Sequence, residues 1–530
     1  MADTETLTPD ERATLAPYFT QLESPVFALT NLPEVVKGAL FARYSRSPKS
    51  LRRLFADEFA ADVPGKTTET ATDAKRAEAL YEKVFVEYGD DSVAQLGGVH
   101  LAVEGASNIL TKVLEWGRLM AYLEQSTRYI PYTDKPGGRW RYVTPPELDP
   151  HPALRARYQQ VLDHTFETYT ALIERMLTHY KRKFPRDATT SEGVWTRTLR
   201  AKALDTVRGL LPAATKSNVG LYGTGQAYEQ LLLRMRAHPL AEVRQCADAM
   251  LVELRKVVPA FLKRVDHPER GGRWSQYFAD TSAEMKRLAA VLVSDAPADR
   301  EEVRLTDFDP DGELHVVAAA LYSVTDLPDD QLVDVARGLS AEDRARVLKA
   351  YVGERTNRRH KPGRAFERTS YRFDILSDYG AFRDLQRHRM LTVEWQALSP
   401  RHGYSMPVEI DEAGEEATWR ELMTSSATLY DDLAAAGLRD AASYVIPMAY
   451  RVRYYLHLNA REAMHVIELR TTPQGHPSYR RVCQQMHKLI RDIAGHRAVA
   501  ASMQFADHSA VELERLGSEK ALEKKREGVR

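Results

Sequence analysis

The chain has 530 residues, more than one ordinary hydrophobic core accommodates, so two or more domains are expected. Lys plus Arg and Asp plus Glu both number 74, and this zero formal charge argues against a dedicated nucleic-acid binder. Two cysteines, Cys246 and Cys483, exclude a disulfide framework and a multi-cysteine zinc site, and no metal site is expected. The acidic N-terminus lacks an apolar signal-like region, and the longest apolar run, 316–322, is too short to cross a bilayer. A soluble, reducing, cytoplasmic setting is the expectation, with no membrane partner.

In chain order, Thr8-Pro9-Asp10-Glu11 reads as a capping box with proline at the first helical position. Apolar residues at mixed three and four spacings predict helices over 30–46 and 72–88, followed by a turn at Gly89-Asp90-Asp91-Ser92. Val99, Leu101 and Val103 alternate with His100, Ala102 and Glu104 as in a half-buried strand. Ser107 or Asn108 caps a helix predicted over 109–122, which runs into Glu124-Gln125-Ser126-Thr127-Arg128-Tyr129. The Pro- and Gly-rich stretch 131–152 reads as a loop. Helical patterns then fill 153–183, 193–211 and 225–265, the last interrupted at His238-Pro239. Residues 294–299, small and turn-prone, read as a linker. Beyond it, 313–324 fits strand or helix, 343–352 a helix, and 371–376 a strand of alternating ring and polar side chains. Ser377 and Asp378 then offer an N-cap for a short helix ending at Arg387-His388-Arg389.

The second half echoes the first. A strand runs into a capped helix at 99–104 and again at 371–376. Leu233-Arg234 before His238-Pro239 parallels Leu469-Arg470 before His476-Pro477, with Cys246 and Cys483 at nearly matching offsets. The expected architecture is α/β of the α+β type. It comprises two homologous lobes, 1–295 and 300–512, each an antiparallel sheet packed against helices, with a helical insert in the first. A charged tail, 513–530, follows and reads as solvated helix or disorder.

These pieces together resemble the flavin-dependent thymidylate synthases. The second lobe carries that family's Arg-His-Arg triplet as Arg387-His388-Arg389, its Asn-x-Arg as Asn459-Ala460-Arg461, and its Leu-Arg as Leu469-Arg470. His360-Lys361-Pro362 with Phe366-Glu367 is similar to its His-x-Ser-Pro-Phe-Glu stretch, interrupted by Gly363 and Arg364. The first lobe carries Glu124-Gln125-Ser126-Thr127-Arg128-Tyr129 for the Glu-x-Ser-x-Arg-Tyr segment, and Arg208-Gly209-Leu210-Leu211-Pro212 for Arg-x-x-Leu-Pro. Each lobe also departs from the pattern. Trp116-Gly117-Arg118 stands at the first lobe's triplet and Gly223-Thr224-Gly225 at its Asn-x-Arg. The second lobe has Ala397 at the serine, with Ser399-Pro400-Arg401 two residues late, and Ser443 to Pro447 lacks the arginine.

The resemblance implies an enzyme that transfers a methylene from a folate to dUMP, using FAD reduced by NADPH, the protein supplying orientation and charge. It places Arg387, His388, Arg389, Asn459, Arg461 and His465 at the flavin. Glu124, Ser126, Thr127, Arg128 and Arg208 fall at the nucleotide, and Arg470 beside the uracil as the catalytic charge stabiliser. It also implies a homodimer forming a pseudo-tetramer. From the residues alone other readings stay open. Arg208 fits a helix-surface ion pair with Asp205 at i,i+3, His465 a packing histidine, and the whole chain either a flavin- or nucleotide-binding relative without turnover or a helical scaffold.

Overall fold

A computed structural model describes residues 7–44, 47–60 and 95–528. The helix and turn expected over 72–92 lie outside the described residues. Contacts divide the chain into two compact units. One holds residues 1–104, 113–124 and 218–295, the other 105–112, 125–217 and 296–530.

In the first unit the capping box forms as read: Thr8 accepts from the Glu11 amide and caps helix Pro9–Leu15. Helices Glu34–Tyr44 and Leu51–Glu58 follow. The sheet has the order β1-β3-β2, with β1 over Gly98–Ser107, β2 over Met120–Glu124 and β3 over Lys216–Thr224. The helix expected over 109–122 stops early. It spans Asn108–Leu114, because Met120 to Glu124 pair antiparallel with Gly223 to Val219 of β3 and strand pairing overrides the local apolar spacing. Helices Gly225–Arg236 and Ala241–Arg255 are separated at His238-Pro239, as the proline requires.

The second unit carries a four-stranded antiparallel sheet of order β4-β5-β7-β6, with β4 over Val303–Phe308, β5 over Ser370–Asp378, β6 over Thr392–Trp395 and β7 over Arg451–Asn459. Tyr371, Phe373 and Ile375 of β5 and Val452, Tyr454, Leu456 and Leu458 of β7 are buried at every second position, which gives the sheet a packed face. Asp378 caps helix Tyr379–Leu385 by accepting from the Ala381 amide at 2.8 Å. Residues 313–324 resolve as helix Gly312–Tyr322. Helix Leu516–Gly528 docks on helix Glu192–Val207, where Arg197 pairs with Glu519 at 2.8 Å and Ser191 donates to Glu523 at 2.6 Å.

The repeat is written into the backbone of this unit. Pro212 and Pro447, equivalent by sequence, face each other across an antiparallel bridge. Around them the Ala213 amide donates to the Ile446 carbonyl (2.8 Å) and the Met448 amide to the Leu211 carbonyl (2.9 Å). One step further out, the Ala214 amide donates to Tyr444 and the Ala449 amide to Gly209, both at 2.8 Å. Each bond has its mate at the symmetric position, the mark of a self-complementary, two-fold contact. Helix Pro152–Lys183, 32 residues long, likewise packs against a shorter helix, Glu416–Ala435, in the second half of the chain.

Candidate functional site

Helix Tyr379–Leu385 delivers Asp384, and the turn after it delivers Arg387 and His388. Asp384 is buried and meets three arginines: Arg387 at 2.5 Å, Arg470 at 3.5 Å and Arg208 at 3.7 Å. Burial works against its ionisation, and the guanidinium groups of Arg387, Arg470 and Arg208 overcome it and hold the carboxyl far below the usual range. A second buried carboxylate, Asp205, lies on helix Glu192–Val207. Arg128 grips it through Nε at 2.8 Å and Nη2 at 2.7 Å, while Arg515 approaches both oxygens at 3.4 Å. Burial again opposes the charge, and Arg128 prevails, bringing Asp205 to about 2. Tyr479 links the two clusters. Its hydroxyl accepts from Arg128 Nη1 at 2.8 Å, and the Arg470 guanidinium lies 5.5 Å from its ring centroid.

Four arginines (128, 208, 470 and 515) therefore lean on two carboxylates, one of which also serves Arg387. Arg208 is 3% exposed, and its Nη2 has no hydrogen-bond partner. That nitrogen sits close to Gly380 and Asp378, whose pKa burial raises. A buried cluster with spare positive charge and an unused guanidinium donor suits an anion such as a phosphate. Arg208 also borders a cavity of about 570 Å³, whose lining mixes bases such as Lys202 and Arg481 with acids such as Glu409 and Glu514.

Beyond Asp384 the imidazole of His388 accepts at Nε2 from Arg470 Nε, 3.0 Å away, which leaves its proton on Nδ1. That nitrogen faces Glu462 Oε1 at 3.6 Å, and the His465 ring lies 5.4 Å from the His388 ring. Burial holds both histidines neutral, His465 being pushed down to about 4 by burial and then by Lys361 and Arg358. Burial pushes the Glu462 carboxyl up to about 7. Ligand atoms of His388, Glu462 and His465 lie within 4.8 Å of one another, but Lys361, Arg358 and Arg470 around them disfavour a cation.

Of the residues singled out in sequence, Arg128, Arg208, Arg387, His388, His465 and Arg470 come together in the second unit. Arg208 does not make the surface ion pair with Asp205 that its spacing allowed. It is buried and faces Asp384, and Asp205 serves Arg128 instead. Ser126 Oγ accepts from the Arg128 amide at 3.3 Å, and Thr127 Oγ1 from Arg383 at 3.4 Å. Asn459 caps helix Ala460–Arg470 by accepting from the Glu462 amide at 2.9 Å, while Arg461 donates to the Pro362 carbonyl and pairs with Glu367. Arg389 is exposed, and Glu124 ends β2 in the first unit. Asp384, Tyr479 and Arg515 join this cluster and were not anticipated, and Asp205 was read only as an ion-pair partner of Arg208.

The sequence pattern described as "Thymidylate synthase complementing protein" matches residues 39–260 and again residues 304–495. The chain belongs to the thymidylate synthase complementing protein family. The double match agrees with the reciprocal bonds at Pro212 and Pro447 in making it a tandem of this family's unit. A UPF0159 protein of Chlamydia pneumoniae is 38% identical over 97% of this chain and 98% of its own length. A flavin-dependent thymidylate synthase of Mycobacterium avium is 30% identical over 36% of this chain and 69% of its own. Among solved structures, a UMP/dUMP methylase, PolB of Streptomyces cacaoi, covers 39% of this chain and 96% of its own at 20% identity and a TM-score of 0.30. Among the described residues no helix is long and apolar enough to cross a membrane.

Proposed function

We propose that this member of the family binds dUMP in the arginine cluster and converts it to dTMP, taking a methylene carbon from a folate and reducing equivalents from NADPH by way of FAD. One observation carries the reading. Arg128 and Arg208 belong to the first repeat's motifs, Arg387, His388 and Arg470 to the second's, and they share the carboxylates of a single buried cluster. Each repeat lacks what the other supplies, so the two together amount to one complete set. On this reading Arg128 and Arg208, with Ser126 and Thr127, take the nucleotide. Arg470 stands beside the uracil, where a guanidinium stabilises negative charge developing on the base.

The groups around His388 fit a flavin ring. The neutral imidazole of His465 offers one donor and one acceptor, while His388 has its Nε2 engaged by Arg470 and keeps its proton on Nδ1. Glu462, pushed up to about 7, is half protonated at neutral pH, and this mixed set of donors and acceptors suits an edge of alternating N–H and C=O groups. Arg387, His388, Arg389 and His465 would hold the cofactor directly. Asn459 and Arg461 would act by fixing helix Ala460–Arg470 and the loop at Pro362. The flavin, when bound, supplies the redox chemistry of the reaction. Two chains joined as a homodimer would restore the four-unit assembly this reading implies.

The test is tritium release from dUMP labelled at the uracil C5, with methylenetetrahydrofolate and NADPH present, using protein whose visible spectrum shows a flavin band. Release above the rate without folate supports the reading; a colourless protein that releases none overturns it. Arg208→Ala should raise the dUMP dissociation constant and leave flavin content unchanged, whereas Arg387→Ala should lower flavin content.

A further inference from the structure

Arg128 has four of its five N–H donors engaged in the arrangement seen, including the whole side-on Nε/Nη2 fork, which leaves a single Nη1 N–H for a phosphate. Nε and Nη2 are taken by Asp205, Nη1 by the Tyr479 hydroxyl, and Nη2 also by the Gln474 carbonyl at 3.1 Å. A bidentate carboxylate occupies the same fork that a phosphate would use. Were Asp205 simply displaced, it would remain buried, unpaired and beside an incoming dianion, a costly state.

A replacement partner is already in place. Arg515 lies beyond residue 495, where the family match ends. It is 6% exposed, its guanidinium sits 4.0 Å from the ring centroid of Tyr129, and its Nη2 is 3.4 Å from each oxygen of Asp205. Those contacts are longer than good charge-assisted hydrogen bonds, and its buried Nε has no hydrogen-bond partner. The segment around it is pinned. Glu514 pairs with Lys202 at 3.3 Å, and helix Leu516–Gly528 is tied to helix Glu192–Val207 through Arg197 and Ser191. Arg515 thus holds a loose second claim on a carboxylate whose first claimant is the proposed phosphate ligand.

We infer that Arg515 is a positioning residue for the nucleotide site, acting through Asp205. When the phosphate arrives, Asp205 passes from Arg128 to Arg515, which frees the Arg128 fork and keeps the carboxylate paired. This rests on the reading of Arg128 as a phosphate ligand. It also gives the C-terminal segment, outside the part shared with the family pattern, a role in substrate binding.

The experiment is calorimetric titration of dUMP into the full-length protein with its flavin content measured, for wild type, Arg515→Ala, Arg515→Lys, Asp205→Asn, the Asp205→Asn/Arg515→Ala double variant and Glu519→Ala. Arg515→Ala is expected to weaken dUMP about tenfold, with flavin content unchanged and Arg515→Lys recovering part of the loss. With Asp205→Asn the capture of Arg128 is relieved, so adding Arg515→Ala should alter affinity by less than about twofold, a non-additivity that marks the shared partner. Glu519→Ala, which loosens the docked helix and leaves Arg515 intact, should bind as wild type does. Equal loss from Arg515→Ala in both backgrounds, or the same loss from Glu519→Ala, overturns the exchange. If wild type binds dUMP and Arg515→Ala binds it equally well, this inference falls alone. If wild type binds no dUMP, the proposed function falls with it.

Discussion

Glutamine at position 462 keeps the shape of a protonated carboxyl and cannot ionise, so it isolates what that proton contributes. Glu462 is buried, and burial raises its pKa from an ordinary 4.5 to about 7 against the opposing charges of Lys361, Arg461 and Arg389. Between those values the folded chain holds a proton that the unfolded chain has released. The stability tied to it is therefore full below about pH 4.5 and lost as pH rises through 7. At about 1.4 kcal/mol per pH unit the loss comes to about 3 kcal/mol. His465 works the other way. Its pKa falls from 6.5 to about 4, so the stability it contributes is lost as pH drops through that range, and in wild type the two slopes largely cancel. The difference between Glu462→Gln and wild type removes the histidine's contribution. Urea unfolding at pH 5 and pH 8 should show the variant gaining about 3 kcal/mol on wild type towards the higher pH. A difference that stays flat with pH would refute the raised carboxyl. A gain in the opposite direction would mean that Glu462 is ionised and paired, and the donor and acceptor set proposed for the flavin edge would go with it.

Arg355 and Glu468 form a bidentate pair at 2.7 and 2.6 Å with side chains only 1% and 2% exposed; Glu468→Ala should cost about 3–5 kcal/mol in chemical denaturation. Added at Gly209, a Cβ would lie 2.8 Å from the fully buried ring of Trp419, so Gly209→Ala should destabilise by about 1–3 kcal/mol and shift the Trp fluorescence. Asp205, brought from 3.8 to about 2, contributes stability that is present above pH 4 and lost as pH falls through 2; acid unfolding of Asp205→Asn should lack about 2 kcal/mol of that loss. Titration of dUMP should saturate at one molecule per chain, and two would contradict a single site built from the motifs of both repeats.

The parts of the site legible in the sequence are those with a local signature. Asp378 announced itself as a cap and Arg387-His388-Arg389 as a basic turn because both signals lie within one turn of helix. Asp384 stood in the same stretch, three residues before Arg387, and an acid at that spacing was the available clue. Arg515 had no such clue. Its carboxylate lies 310 residues away, so in sequence it is one more charge in a charged segment. The helix expected over 109–122 overran for the same reason, since the pairing that makes 120–124 a strand comes from residues about a hundred positions later. Local chemistry shows in the sequence, and partnership across the chain does not.

The two repeats differ at the positions of the arginine cluster. Counting by the repeat offsets, the first repeat has Val113 for Asp384, Trp116 for Arg387, Gly117 for His388 and Gln226 for Glu462. Its Arg234, the counterpart of Arg470, lies 5.4 Å from the Trp116 ring centroid, where burial lowers its pKa. Its Glu229, at the place of His465, is taken by Arg264 at 2.8 Å. An arginine on an indole face is a packing contact, whereas arginines that outnumber the carboxylate they share leave positive charge that suits an anion. A fused duplication permits this asymmetry. Once both copies sit in one chain, a substitution such as Arg to Trp in one repeat no longer strikes every copy in the assembly, so one half can lose its polar cluster to packing while the other keeps the charge.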